Sequence, residues 1–188
     1  MKHYIDPTID FVFKLLFGVV ENIPLLLDFL NKTLQPIVPI ISITLENPYD
    51  EREYEKDKLS IIDVQAKDGN GITYQIEIQL DSPKHLTNRM LYNWGGLYHG
   101  QLEKSEKYDK LKPVICIWIL TRNLIKHSPA YHHICEVWDR KNDIFQGPFI
   151  FQSWPCCWSF GSLARHSESL IVILFKRAVT QLAGKMTT

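Results

Sequence analysis

Two acidic side chains in a predicted β-hairpin are the first candidates for chemistry in this sequence. Residues 61–80, IIDVQAKDGNGITYQIEIQL, read as two strands around a glycine-rich turn, and they carry Asp63 and Glu77 in mid-strand. Aspartate and glutamate are poor strand formers, and β-branched residues would serve a hairpin better at both positions. Asp63 and Glu77 are therefore candidate functional residues.

The register of the hairpin follows from its turn. A three-residue turn at 69–71 is a common hairpin connection; it pairs Asp68 with Ile72 and places Asp63 directly opposite Glu77. Because side chains alternate between the two faces of a strand, one face is then polar and the other apolar. A turn of two or four residues would shift the pairing by one position and make the carboxylates diagonal neighbours. The polar face consists of Asp63, Gln65, Lys67, Thr73, Gln75, Glu77 and Gln79.

Two interpretations of this polar face are open. Antiparallel sheets commonly leave one face in solvent, so an ordinary amphipathic hairpin with a wet face explains the alternation. Like charges directly opposite on a sheet repel each other, however, so Asp63 and Glu77 cost stability unless another group neutralises them. Local rules that are broken without local compensation are expected at functional sites. The second interpretation is therefore a site that neutralises both acids.

A divalent metal ion would neutralise the two carboxylates. Mg²⁺ takes oxygen ligands, usually one or two carboxylates together with waters and substrate phosphate oxygens. The backbone carbonyl of Ile78 would supply a further oxygen, and Gln79 would orient a water or contact a phosphate. A metal held in this way polarises a phosphate and lowers the pKa of bound water. The expected ion is Mg²⁺, with Mn²⁺ as an alternative.

The elements around the hairpin predict a mixed α/β sheet. The order α-α-β-β-β-α-β-β places antiparallel strands first and a crossover helix after them. The predicted helices follow Asp6-Pro7, cover 24–34 and cover 84–106 after a Ser82-Pro83 cap; the predicted strands lie at 40–47, in the two hairpin arms, at 113–121 and near 132–138.

Composition sets wide limits on function. The 188 residues have a formal net charge of zero, which argues against a globally basic nucleic-acid binder but not against a local basic groove. The four cysteines form no C-x-x-C pair, and His132-His133 with Cys135 fits no closed four-ligand zinc pattern. No apolar run approaches a bilayer span and no signal-peptide cleavage site is present. The expectation is a soluble, cytoplasmic protein without a membrane partner.

Several motifs resemble one known family. Asp63, a spacer of thirteen residues and Glu77-Ile78-Gln79 resemble the D…(D/E)xK core of the PD-(D/E)xK nuclease superfamily. The branch with Gln in place of Lys is the closest in pattern: the Rpn-type recombination-promoting nucleases, also called PD-(D/E)xK family transposases. The resemblance covers roughly residues 5–125 in order. It includes DPTIDFVFKLLFG, LLLDFLN and NRMLYNWGGLYHGQLEKSEKYDKLKPVICIWIL.

The resemblance implies a fold and an activity. The implied fold is a restriction-endonuclease-like α/β core, in which a mixed central sheet, an antiparallel meander plus a crossover strand, is flanked by helices. The implied activity is metal-dependent endonucleolytic cleavage of DNA, linked to recombination or transposition. Asp63 and Glu77 match the metal-binding acids, and Gln79 matches the lysine of the motif. DNA is the implied partner, and a homo-oligomer is compatible with the sequence.

Three further residues enter as accessory candidates through the resemblance. Asp10 and Lys14, one turn apart on the first helix, match the family's DFVFK stretch, and an acid from this helix often completes related sites. The alternative is an i,i+4 surface ion pair, worth about 0.2 to 0.5 kcal/mol. Arg89, in the helix after the hairpin, is a candidate for contacting a backbone phosphate.

The C-terminal residues depart from the family pattern. We predict a nuclease-like domain at 1–150 and an atypical tail at 151–188, where SWPCCWSFGSLARHSES replaces the expected strand and helix. A frameshift or a decayed gene copy would explain this tail. The alternative function is therefore a catalytically inactive, degenerate module of the same fold that binds DNA or protein.

Overall fold

In the computed structural model the described residues fall into two compact units, one containing residues 10–46 with 63–64 and the other the described residues between 65 and 155. The described residues are 10–46, 63–79, 84–120, 124–125, 128, 130, 132–136, 138–139, 141–142, 144–145 and 149–155. Asp6, Pro7, Ser82 and Pro83, which the sequence assigned to helix starts, lie outside these ranges, as does 156–188 of the predicted tail.

The first unit is built on two helices with apolar faces. Helix α1 covers Asp10–Phe17, a short 3₁₀ helix covers Val20–Asn22, α2 covers Ile23–Leu34, and strand β1 covers Ile43–Leu45. Apolar residues at helical spacing face one another, and the Phe17 ring lies 5.0 Å from that of Phe13 and 5.1 Å from that of Phe29. Both predicted helices are confirmed, whereas the strand predicted at 40–47 is shorter.

The second unit contains most of the sheet. Strand β2 covers Asp63–Asp68, with its first two residues in the first unit, and β3 covers Thr73–Gln79. The remaining elements are α3 (Leu86–His99), a 3₁₀ helix (Tyr108–Lys110), β4 (Val114–Leu120), β5 (His133–Cys135), β6 (Trp138–Asp139), β7 (Ile144–Phe145) and β8 (Phe149–Pro155).

The sheet mixes antiparallel and parallel pairs. Its strand order is β1-β2-β3-β4-β8-β5, and β6 and β7 form a separate antiparallel pair. Strands β3 and β8 flank β4 in parallel, and β5 runs antiparallel to β8. Strands β2 and β3 are joined by a tight turn, which only antiparallel neighbours permit. A mixed sheet flanked by helices, with α3 as the crossover from β3 to β4, confirms the predicted restriction-endonuclease-like α/β fold.

The turn between β2 and β3 has the predicted length. The Asp68 amide donates to the Ile72 carbonyl at 3.0 Å, and the Gly71 amide donates to the Asp68 carbonyl at 3.0 Å. Gly71 has φ +84°, a left-handed conformation that favours glycine, and a Cβ there would lie 3.2 Å from Cγ of Lys112. These contacts define a three-residue loop with Asp68 opposite Ile72.

Tyr74 ties β3 to this turn and should make stability sensitive to alkaline pH. Its hydroxyl donates to Oδ2 of Asp68 at 3.1 Å, and burial, reinforced by the Asp68 carboxylate, raises the pKa of Tyr74 above its ordinary value. In the unfolded chain a tyrosine loses its proton near pH 10. At that pH the folded protein still retains the Tyr74 proton, because folding raises the pKa of this residue. The free energy of unfolding is therefore expected to fall as pH rises above about 10.

The substitution Tyr74→Phe should make this decline shallower, by up to about 1.4 kcal/mol per pH unit. The measurement is urea denaturation between about pH 8 and about pH 11, with the exposed Tyr108→Phe as the matched control. If Tyr74→Phe and Tyr108→Phe leave the same slope, the pKa of Tyr74 is not raised by folding.

Strand β4 and helix α3 form the core of the second unit. All seven residues of β4 are buried, as predicted for an apolar strand covered on both faces. Leu86 and Met90 of α3 pack with a set of β4 side chains. The indole N–H of Trp94 donates to the Val114 carbonyl at 3.1 Å, which fixes α3 over the start of β4. That β4 set is Val114, Cys116, Trp118 and Leu120.

The predicted bounds of one helix need correction. Helix α3 begins after His85, whose φ of +70° is left-handed, and ends before Gly100, so it is shorter than the predicted 84–106. Strand β8 covers Phe149–Pro155 and so includes residues on both sides of the predicted domain boundary at 150. The domain boundary and the nature of the tail stay predictions. None of the helices in the described part of the chain is long and apolar enough to cross a membrane.

Candidate active site

The polar face of β3 is buried. Thr73, Gln75 and Glu77 are each less than a tenth exposed, so the wet-face interpretation of β3 is wrong. The reason is long-range: on neighbouring β4, Cys116 is the register partner of Gln75 and Trp118 that of Glu77, and α3 packs over these β4 residues. The Cys116 thiol donates to Oε1 of Gln75 at 3.3 Å, so a buried polar group is satisfied by the next strand.

Glu77 is held by Arg89 of α3. Nη2 of Arg89 donates to Oε1 of Glu77 at 2.5 Å, and the Glu77 side chain is only 6% exposed whereas that of Arg89 is 47% exposed. Burial of a carboxylate is costly unless it is paired and hydrogen-bonded. The structure therefore supplies one neutralising group for Glu77 from within the same unit.

Arg89 also contacts Gln79 and Trp118. Its Nη1 donates to Oε1 of Gln79 at 2.8 Å, so one guanidinium bridges two side chains that lie two residues apart on β3. The guanidinium carbon lies 5.6 Å from the ring centroid of Trp118, within range of a cation–π contact. The indole N–H of Trp118 is buried and has no hydrogen-bond partner among the described residues.

Asn93 contacts Glu77 and was not among the residues that the sequence singled out. Its Nδ2 lies 3.4 Å from Oε2 of Glu77, so Arg89 and Asn93 approach different oxygens of the same carboxylate. The two residues are four positions apart on α3 and hence on one face of the helix. The four-residue spacing could be read from the sequence, but the sequence did not show that Glu77 lies opposite this face of α3.

The structure brings together Glu77, Gln79 and Arg89 of the predicted set. Asp63 is the first residue of β2; the structure describes its backbone but not its side chain. Asp10 and Lys14 belong to α1 in the first unit, and the side chain of Asp10 is likewise not described. The accessory roles of Asp10 and Lys14 and the phosphate contact of Arg89 stay predictions.

No cluster of three or more His, Cys, Asp or Glu side chains with a metal-binding arrangement occurs among the described residues. The groups in contact with Glu77 include the guanidinium of Arg89 and the side-chain amide of Asn93.

The family model whose description is "PD-(D/E)XK nuclease family transposase" matches residues 7–149. The chain belongs to this family. Membership in the PD-(D/E)XK nuclease transposases agrees with the mixed sheet and with a nuclease role related to transposition, and it implies DNA as the substrate class. Neither the curated proteins nor the solved structures that were compared gave a match. The matched range includes Glu77 and its two hydrogen-bond partners on α3, Arg89 and Asn93.

Proposed function

We propose that this chain is a metal-dependent DNA endonuclease acting in recombination or transposition, with its site built around Glu77. The observation that supports the proposal best is the burial of this carboxylate beneath Arg89 in the middle of the sheet. A buried acid costs stability that an apolar residue would not, and such costs are expected where function requires the acid.

Asp63 is proposed as the second acid. The turn pairs Asp68 with Ile72, and counting outward along the two strands in that register makes residue 63 the partner of residue 77. In the proposal this register continues to the start of β2, so that both carboxylates lie on one face of the hairpin.

The available donors fit a hard divalent cation. Carboxylate oxygens of Asp63 and Glu77 and the backbone carbonyl of Ile78 are the oxygen ligands that Mg²⁺ prefers, and Mn²⁺ accepts them too. When bound, the metal would polarise the scissile phosphate and favour a water nucleophile at neutral pH. Gln79, at the partly exposed end of β3, would hydrogen-bond that water or a phosphate oxygen.

Plasmid nicking tests the proposal. Supercoiled plasmid is incubated with the wild-type chain and Mg²⁺, with and without EDTA, alongside Asp63→Asn and the exposed control Asp109→Asn. Wild type and Asp109→Asn should nick the plasmid only with Mg²⁺, and Asp63→Asn should be slower by about 10³-fold, since a lost charge-stabilising ligand costs several kcal/mol. Equal nicking by Asp63→Asn and Asp109→Asn would remove Asp63 from the mechanism.

A second candidate function is a catalytically inactive module that binds DNA or protein. It is favoured by the Arg89–Glu77 pair, because the fold neutralises this acid with its own guanidinium. In that case the wild-type chain binds plasmid without nicking it at any Mg²⁺ or Mn²⁺ concentration.

A further inference from the structure

The contact between Arg89 and Gln79 fixes which end of the Gln79 amide points away from the helix. A guanidinium has only hydrogen-bond donors, so the atom of Gln79 that meets Nη1 at 2.8 Å must be the carbonyl oxygen. The amide NH₂ group is then the end of the Gln79 side chain that does not contact Arg89.

We propose that Arg89 is a positioning residue that makes position 79 a hydrogen-bond donor toward the reacting phosphate or water. This inference rests on the proposed nuclease function. A free glutamine can present either its oxygen or its NH₂ group by rotation of the amide, and only the NH₂ group complements an anionic phosphate oxygen. Arg89 excludes the orientation in which the NH₂ group of Gln79 faces the guanidinium, because Nη1 cannot accept a hydrogen bond.

The surroundings of Arg89 explain why its guanidinium keeps this orientation. Nη2 is bound to Oε1 of Glu77 at 2.5 Å, and the Trp118 ring lies 5.6 Å from the guanidinium carbon. The planar guanidinium thus donates from Nη2 to Glu77 and from Nη1 to Gln79 at the same time. A lysine could neutralise Glu77, but a single ammonium cannot reproduce the planar contact with both Glu77 and Gln79.

This role differs from a contact between Arg89 and the DNA backbone. A phosphate contact contributes to binding, so its loss raises KM and reduces the salt dependence of DNA affinity. A positioning residue acts on the reacting atoms through another side chain, so its loss lowers kcat and leaves DNA affinity unchanged.

Cleavage kinetics of four chains test the proposal: wild type, Arg89→Lys, Gln79→Lys and the double variant. Arg89→Lys keeps a cation beside Glu77 and is therefore expected to remain folded. In the wild-type background it should lower kcat about ten- to a hundred-fold, with KM for DNA and its salt dependence unchanged. In the Gln79→Lys background, where residue 79 is a donor in every orientation, the loss should be under about threefold.

Two kinetic results overturn the proposal. An equal loss of kcat in both backgrounds means that Arg89 does not act through Gln79. A higher KM with a weaker salt dependence means that Arg89 contacts the phosphate instead.

NMR of the Gln79 side-chain amide gives a test without DNA or metal. The two amide protons should give one restrained pair of signals in the wild type, and Arg89→Lys should shift them and increase their exchange; the Gln65 amide serves as reference. Unchanged Gln79 signals in Arg89→Lys overturn the inference even if wild type cleaves DNA. Absence of cleavage by wild type together with the expected amide change removes the proposed nuclease function and leaves the orientation of Gln79 established.

Discussion

Replacing Arg89 with methionine should lower the free energy of unfolding by about 3 kcal/mol, since breaking a buried ion pair by removing one partner typically costs about 3 to 5. The methionine keeps much of the aliphatic packing but leaves the Glu77 carboxylate, 6% exposed, without the guanidinium that lies 2.5 Å from it. The lower end of that range applies because Arg89 itself is half-exposed. Methionine also loses the contact with the Trp118 ring.

Urea denaturation at neutral pH measures this effect, and the chain offers a matched control. Lys110 pairs with Glu106 at the same 2.5 Å, but its side chain is 62% exposed, so Lys110→Met should barely move the unfolding midpoint. Because the two ion pairs have the same N–O distance, a difference between the two variants reports the burial of the Glu77 carboxylate. If Arg89→Met shifts the midpoint no more than Lys110→Met, the Glu77 carboxylate is not buried behind α3.

The substitution Glu77→Gln should have a large effect on cleavage and a small effect on stability. Loss of the charged ligand should slow Mg²⁺-dependent cleavage by about 10³-fold, equivalent to about 4 kcal/mol in the barrier. Stability should change by less than about 1 kcal/mol, because glutamine retains the shape and an acceptor for Arg89 while the cost of burying a charge disappears. Arg89 can turn its half-exposed guanidinium toward water.

Cleavage rates and urea unfolding of the same preparations test this second prediction, with Glu106→Gln, at the exposed ion pair, as the control for removing a carboxylate. Glu77→Gln should be nearly inactive and as stable as wild type, and Glu106→Gln should be active. Retained cleavage by a folded Glu77→Gln chain would exclude Glu77 as a metal ligand. A loss of several kcal/mol in stability would show instead that the carboxylate is chiefly structural.

The parts of the fold that follow from local rules were predictable. Residues 69–71 supply glycine where the chain needs a left-handed conformation, so the turn and the pairing of Asp68 with Ile72 could be derived from neighbours in sequence. Strand β4 was equally accessible, because seven consecutive apolar residues between turn signals are typical of a strand covered on both faces.

The burial of Glu77 and its pairing with Arg89 depended on information that the hairpin does not contain. The two residues are twelve positions apart in sequence, and their contact requires α3 to cross over the face that alternation alone left open to solvent. A signal for this existed in α3: Leu86, Met90 and Trp94 recur every four residues and form the stripe that faces the sheet. Arg89 and Asn93 each precede a residue of that stripe.

The place of β4 has a consequence for synthesis of the chain on the ribosome. Strand β4 is flanked in parallel by β3 and β8, yet residues 121–148 must be made after β4 before β8 begins. During that interval one edge of an apolar seven-residue strand has no partner from β8, and exposed edges of this kind recruit other chains. Production of the protein should therefore depend on how fast translation reaches Phe149 and on chaperones that cover the edge of β4 in the meantime.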